Sequence, residues 1–137
     1  MATTIRKTAY FSTQTPNRAG QGAGLLNRLA KHDVNLLAFT GFPAGGGAQV
    51  DFIPENSVKF RQAARKAGLR VSARKTVFLA RGDDRVGALT GILAKLAKAK
   101  INVVALSAVT AGKRRYGMIF WVKQKDTGRA SRVLGAR

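Results

Sequence analysis

Cysteine is absent from this sequence of 137 residues, which excludes disulfide bonds and metal sites made of thiolates. Histidine occurs once, as His32, and the acidic residues number six. With so few groups that could serve as nucleophile, acid or base, no catalytic pair is evident. We therefore predict that the chain is not an enzyme, and that it holds no metal ion and no cofactor.

Long apolar runs are also missing. No segment approaches the roughly 20 residues that a membrane-spanning helix needs, and residues 1–7 hold no apolar stretch of signal-peptide length. We expect a cytoplasmic protein that does not bind a membrane. Hydrophobic residues still make up 45% of the sequence, as in globular proteins, so the chain should bury a core.

Negative charge is scarce, because 25 Lys and Arg residues stand against six Asp and Glu and give a formal net charge of +19. Such a charge attracts polyanions, with an affinity that falls steeply as salt is added. The basic residues are scattered without a long block, which is also typical of solvated helix faces. Weak binding of nucleic acid or another polyanion therefore stays open.

An internal repeat is the most informative feature that is present. Arg18 and Arg85 are 67 residues apart, and so are Asn35 and Asn102. Between these landmarks, both copies carry a glycine near the start of a predicted helix and a Leu-Ala-Lys sequence near its end. A constant offset of this kind indicates a duplicated structural unit.

Periodicity and turn residues predict the same order of elements in both copies. The first copy is predicted as strand Thr8–Thr13, helix Arg18–Lys31, strands Val34–Phe42 and Gln49–Ile53, a helix from Pro54 to Lys66, and strand Leu69–Arg74. The second is predicted as strand Lys75–Ala80, helix Arg85–Ala99, strands Ile101–Val109 and Arg115–Lys123, and helix Asp126–Leu134. No residues remain for its fourth strand.

This order predicts an α+β fold of two ferredoxin-like βαββαβ units in tandem, residues 1–74 and 75–137, fused without a flexible linker. Each unit should have an antiparallel sheet with its helices on one face, and the last strand of the second unit is missing. Residues 116–122 are apolar on both strand faces, so both should be covered, and the missing strand should leave a bare edge. Both features predict a partner surface, most simply a second copy of the chain.

The repeated loop and helix resemble the motif of ACT domains. In that family, Asp-x-Pro-Gly-x-Leu follows the first strand, the helix ends in Leu-Ala-x-x-Gly, and Ile-Asn-Ile opens the second strand. Residues 84–89 read Asp-Arg-Val-Gly-Ala-Leu, and residues 101–103 read Ile-Asn-Val. Residues 17–22 and 34–36 are the corresponding segments of the first copy. The chain is thus similar to a tandem ACT protein over nearly its whole length.

The resemblance implies a regulatory module that binds a small molecule, usually an amino acid, at an interface between two such domains. By residue match, the ligand-binding positions would be Asn17, Ala19, Gly20 and Asn35 in the first unit, and Asp84, Val86, Gly87 and Asn102 in the second. Physical chemistry supports this expectation, since free N–H groups at a helix start favour a carboxylate. An Asn amide, which both donates and accepts, suits an α-amino acid.

Plainer roles stay open for two of these features. Gly20, Gly22 and Gly24 would be needed if helix and sheet packed closely there, since each glycine costs about 1 kcal/mol in a helix interior. Asn35 and Asn102 would be useful simply for satisfying backbone groups where a helix meets a strand.

RNA binding is the alternative function. RNA-recognition motifs have the same strand–helix order and carry stacking aromatic residues on the third strand. Residues 114–121, Arg-Arg-Tyr-Gly-Met-Ile-Phe-Trp, match that signature in part. If Tyr116, Phe120 and Trp121 were open to water beside the basic surface, they would form a nucleic-acid platform. If they are buried, the small-molecule sensor is the better interpretation.

Overall fold

A computed structural model describes residues 3–137. The predicted fold class is confirmed, with α-helices and antiparallel strands alternating in the repeated order. The elements are β1 (Thr4–Thr15), α1 (Gln21–Ala30), β2 (Leu36–Ala44), β3 (Gly47–Pro54), α2 (Ser57–Lys66), β4 (Lys75–Asp83), α3 (Thr90–Lys98), β5 (Val103–Thr110), β6 (Arg115–Val122) and α4 (Thr127–Leu134). A 3₁₀ turn, Gln124–Asp126, precedes α4. No helix among residues 3–137 is long and apolar enough to cross a membrane.

The chain divides into two compact units, one of residues 9–75 and one of residues 76–137 together with residues up to Thr8. The strand β1 is therefore divided between the two units. The predicted boundary instead assigned all of residues 1–74 to the first unit. The physical reason is that β1 begins at Thr4, earlier than predicted, because β-branched Thr4 and Ile5 extend the strand. Ile5 packs against the core of the unit formed by residues 76–137.

In the unit of residues 9–75, the strand order is β2-β3-β1, and both pairs are antiparallel. The β2–β3 hairpin closes through Gly45 and Gly46, whose φ angles of +55° and +82° suit a two-residue turn. The core stacks Phe60 of α2 on Phe11, with ring centroids 5.0 Å apart, and Leu29 of α1 joins the same cluster.

Residues 69–74 do not form the regular strand that was predicted. The Ser72 N–H donates to the Ser12 carbonyl over 2.8 Å, but the neighbouring bonds use side chains: the Thr13 hydroxyl donates to the Arg70 carbonyl, and the Ser12 N–H donates to the Ser72 hydroxyl. Serine and threonine side chains thus replace the regular backbone ladder, as short polar side chains often do.

In the unit that contains residues 76–137, the order is β4-β6-β5, and residues 4–8 of β1 lie beside β4. Among residues 3–137 no strand follows α4, but the predicted bare edge is wrong because β1 occupies it. The core stacks Phe78 on Phe120 with ring centroids 5.2 Å apart, and α3 and α4 cover this face of the sheet.

The strand β6 is buried on both faces, as its lack of alternation predicted. Tyr116 and Phe120 belong to the core under the helices, while Trp121, on the other face, is only 8% exposed. Exposed apolar side chains are found instead on the outer strands β2 and β5, among them Phe42 and Val109.

Candidate functional site

The loop between β4 and α3 is ordered by short backbone hydrogen bonds. The Ala88 N–H donates to the Arg85 carbonyl over 3.0 Å, and both the N–H and the hydroxyl of Thr90 donate to the Gly87 carbonyl. Gly87 has a φ of +73°, a conformation that favours glycine over other residues. The Asp84 N–H donates to the Arg114 carbonyl, which ties the loop to the turn between β5 and β6.

The helix α3 begins without a side-chain cap. Its N-cap residue is Leu89, which has no hydrogen-bonding side chain, and its first turn carries no acidic residue. The helix α1 likewise starts at Gly20 without a cap, whereas α2 is capped by Asn56, which accepts from the Lys59 N–H over 3.0 Å. In both helices that follow the repeated loops, the first N–H is bonded to a loop carbonyl, of Gly87 for α3 and of Arg18 for α1. The next N–H groups of the first turn lack a side-chain acceptor and can bind an acceptor from outside the chain.

A cavity of about 410 Å³ opens beside the start of α3. It is lined by the loop, the first turns of α3, the end of β5 and one residue of β6: Asp84, Arg85, Gly87, Ala88, Leu89, Thr90, Leu93, Ala108, Val109, Thr110 and Tyr116. This volume is typical of sites for small molecules. Leucine, valine and alanine side chains make most of the lining apolar, with a few polar groups among them.

The charged residues of the cavity are Asp84 and Arg85, and both are exposed. Asp83 beside them forms an ion pair with Arg115, its Oδ1 lying 2.8 Å from Nη1. Within residues 3–137, no ion pair of this kind involves Asp84 or Arg85. One carboxylate and one guanidinium are therefore available at the cavity for a ligand of mixed charge.

The structure brings together only part of the predicted site of the second unit. Asp84 and Gly87 line the cavity, but Val86 does not, and its side chain is 99% exposed. Asn102 lies beyond the opposite end of α3, a helix of nine residues that is roughly 13 Å long. A ligand held in the cavity therefore does not reach Asn102 of the same unit.

The first unit shows the same separation. Asn17, Ala19 and Gly20 are exposed in the loop before α1, while Asn35 follows its far end. The Asn35 amide donates to the Glu55 carboxylate over 3.3 Å, and the Glu55 N–H donates to the Asn35 carbonyl. Asn35 thus joins the end of one helix to the start of the next, which is the plainer role considered for it.

Close packing does not explain the glycines of α1. A Cβ atom added to Gly22 or Gly24 would meet nothing within 4 Å, so the interpretation that glycine lets helix and sheet approach is wrong. The same holds for Gly91 of α3. Gly20 is explained by its backbone instead, because its φ of +88° is a conformation that favours glycine over other residues.

The strands contribute residues that were not among the predicted site residues: Ala108, Val109 and Thr110 of β5, and Tyr116 of β6. A topological signal was available for β5. Because β4 and β5 are both antiparallel to β6, their carboxyl ends lie at the same end of the sheet, where the loop after β4 begins. Thr110 and Tyr116 are paired in register at that end.

The aromatic residues of β6 are not available to stack on RNA bases. Tyr116 is 6% exposed, Phe120 is fully buried against Phe78, and Trp121 is 8% exposed. The nucleic-acid platform considered in the sequence analysis required these rings to be open to water. Their burial disfavours that alternative.

Comparison with known proteins finds solved structures with a similar fold, but no matching family model or curated sequence. No family model and no curated protein matches the sequence. Protein BT0572 from Bacteroides thetaiotaomicron is similar in structure, with a TM-score of 0.80 and 18% identity over 96% of this chain and 88% of that one. The ligand-free regulatory subunit of aspartate kinase from Thermus thermophilus has a TM-score of 0.64 and 12% identity, over 97% and 94% of the two chains.

A putative C-terminal regulatory domain of aspartate kinase from Porphyromonas gingivalis is also similar, with a TM-score of 0.53 and 13% identity over 98% of this chain and 94% of that one. At these identities, the likeness shows a shared fold alone. It agrees with the two ferredoxin-like units described above.

Proposed function

We propose that the protein is a non-catalytic regulatory module that binds a small carboxylate, most simply an α-amino acid, in the cavity at the start of α3. The observation that carries this proposal is the uncapped start of α3 beside an apolar cavity of about 410 Å³. The fold shared with regulatory parts of aspartate kinase supports it.

The cavity offers a suitable group for each part of such a ligand. The carboxylate would accept hydrogen bonds from the N–H groups that follow Thr90 in the first turn of α3, where the helix dipole also favours negative charge. The ammonium group would pair with Asp84. The side chain of the ligand would pack against Leu93 and Val109. Gly87 keeps the loop free of a side chain at the point of approach.

The first unit has an equivalent helix start, and we extend the proposal to a second site there formed by Asn17, Ala19 and Gly20. Val86, Asn35 and Asn102 lie outside these helix starts. They belong to the proposal only as contacts to a ligand that is shared with a second copy of the chain.

A homodimer is part of the proposal. The strand β5 is last in its sheet order, and Val104, Leu106 and Val109 are exposed along it. An exposed apolar edge strand favours pairing with another chain. Because Val109 also lines the cavity, a dimer that pairs β5 with its copy would couple ligand binding to subunit geometry, typically by about 1–3 kcal/mol.

Ligand binding is tested by a thermal-shift screen of the amino acids against the full chain. A ligand present at 100 times its dissociation constant should add about 2.7 kcal/mol to the free energy of unfolding and raise the melting temperature. Asp84→Asn should weaken binding, because the ammonium group loses its partner. Asp33→Asn is the matched control, since it makes the same change at an exposed Asp in the other unit.

Two results would contradict the proposal. One is a screen in which no amino acid shifts the melting temperature, especially if a short RNA does so at low salt. The other is equal loss of binding in both variants. The dimer is tested separately by analytical ultracentrifugation, where Leu106→Lys should give a folded monomer.

A further inference from the structure

Positive charge is in large excess in the unit that contains the cavity. This unit, residues 76–137 together with residues up to Thr8, holds fifteen Lys and Arg residues, while its acidic residues are Asp83, Asp84 and Asp126 alone. Asp83 and Asp126 are already engaged in ion pairs. A cleft surrounded by charge of one sign concentrates the potential and attracts ligands of the opposite sign. The cavity is therefore suited to a ligand with net negative charge.

Arg85 is the basic residue that lines the cavity. Its carbonyl accepts the Ala88 N–H over 3.0 Å, which holds its backbone in the loop. Its side chain is exposed, and it takes part in none of the ion pairs formed within residues 3–137. A guanidinium group that is free to turn can donate two parallel hydrogen bonds to a carboxylate. Arg85 is thus available to a second acidic group of the ligand.

The turn between β5 and β6 places two further cations beside the loop. Lys113 and Arg114 are its central residues, and the Arg115 N–H closes it by donating to the Gly112 carbonyl over 3.1 Å. The Arg114 carbonyl accepts the Asp84 N–H over 2.8 Å, so the turn directly contacts the loop that lines the cavity. Both central side chains are exposed, and none of the ion pairs within residues 3–137 involves them.

The conformation of this turn does not suit Lys and Arg. The φ angles of Lys113 and Arg114 are +56° and +55°, in the left-handed region. Two-residue turns of this kind favour Gly, Asn and Asp, and longer side chains are strained there. The corresponding turn of the other unit has Gly45 and Gly46, with φ angles of +55° and +82°. Because Gly-Gly forms this turn without strain, turn formation does not account for the two cations, whereas attraction of an anion does.

We propose that the ligand of the cavity is a dicarboxylic amino acid, whose second carboxylate pairs with Arg85, and that Lys113 and Arg114 strengthen its attraction. This inference rests on the proposed function, which places the α-carboxylate at the start of α3 and the ammonium group at Asp84. The methylene groups of the ligand would pack against the apolar lining. The corresponding amide ligand has nearly the same shape but lacks the second negative charge.

Near-isosteric ligand pairs test this selection on the unaltered protein. Isothermal titration calorimetry at low salt should show that glutamate binds about tenfold more tightly than glutamine, or aspartate about tenfold more tightly than asparagine, which is the effect of one charge-assisted pair. Added salt should reduce the preference, because exposed charges are screened. In Arg85→Gln, the preference should disappear while the affinity for the amide member and the melting temperature without ligand are kept.

Arg81→Gln is the matched control. Arg81 is an exposed residue of β4 in the same unit and does not line the cavity, so the same loss of charge there should leave the preference in place. A preference that persists in Arg85→Gln would overturn the inference, as would an equal loss of preference in Arg81→Gln.

The contribution of the turn is tested by the double variant Lys113→Asn with Arg114→Gly. The preference should fall by about twofold, because two nearby charges are lost at partly screened distances. The melting temperature without ligand should rise, since Asn-Gly suits this turn. An unchanged preference would overturn the role of the turn, and a lower melting temperature would overturn the argument from strain.

The ligand pairs also separate this inference from the proposed function. Equal affinity of the unaltered protein for the acidic and amide members of both pairs would overturn the inference, while an amino acid still binds and the proposed function stands. Failure of every amino acid to bind removes the proposed function and this inference together.

Discussion

The two units share a loop and a helix start but differ in the strand residues that meet them. In the unit with residues 76–137, Gly82 is opposite Tyr116, whereas the other unit has Thr15 opposite Ala48. At the 67-residue offset, Leu89 of the cavity also corresponds to Gly22. Both copies of the loop are thus followed by a helix whose start has no side-chain cap. The strand residues that line the cavity beside α3 are replaced by different residues at the corresponding positions of the first unit.

The cores differ much less. Phe11 and Phe78 are 67 residues apart, and each stacks on another phenylalanine. Leu29 and Leu96, also 67 residues apart, are almost fully buried under the sheets. These core positions are therefore kept in both units, while the strand positions compared beside the loop differ.

The largest expected effect tests the likeness of the cores. Phe120→Ala should lower the free energy of unfolding by about 3–5 kcal/mol, because it removes a buried ring and leaves a cavity. Phe52→Ala, at the corresponding position on β3, should cost a similar amount. Urea denaturation measures both, and a loss below about 1 kcal/mol in only one of them would show that the cores are not equivalent.

A smaller effect is expected where the units differ. Gly82→Thr introduces the residue of the first unit and should cost about 1–3 kcal/mol, because its Cβ would overlap the Tyr116 ring and the Thr3 hydroxyl. The same change made in a Tyr116→Ala background should cost less, since the ring is gone and only the Thr3 hydroxyl still overlaps the added Cβ. Urea midpoints of the four proteins give the coupling energy, and additive costs would contradict the proposed steric relation.

The smallest expected effect concerns the open glycines of both units. Gly24→Ala and Gly91→Ala occupy corresponding positions in α1 and α3, and a Cβ atom at either would meet nothing within 4 Å. Each should raise the free energy of unfolding by about 0.5–1 kcal/mol, because alanine favours the helix. Thermal or urea unfolding checks this gain. A loss of stability would mean that some contact requires glycine there after all.

The bounds of α3 show which parts of a helix can be predicted from sequence. The helix α3 was predicted from Leu89, Leu93 and Leu96, and its end was placed within one residue, since a spacing of three and four is a local property. The predicted helix start, Arg85, was five residues early. Loop residues 84–89 form hydrogen-bonded turns before Thr90, and no propensity distinguishes such a turn from a first helical turn.

The candidate site was predicted only in part. Asp84 and Gly87 could be named because they belong to one continuous motif. Asn102 belongs to the same motif, but a helix carries it to the other end of the unit. Tyr116 could not be named as a cavity residue, because its position depends on its register with Gly82, more than thirty residues away in sequence.

The sequence by itself determined that a βαββα unit occurs twice, because hydrophobic periodicity depends on neighbouring residues and the constant offset of 67 can be seen in the sequence without a structure. Only the tertiary structure decided that the start of β1 replaces the missing strand, and that Tyr116 joins the loop at a cavity. Both outcomes depend on which strand edges pair and in which register, and that choice is made by packing between residues far apart in the chain.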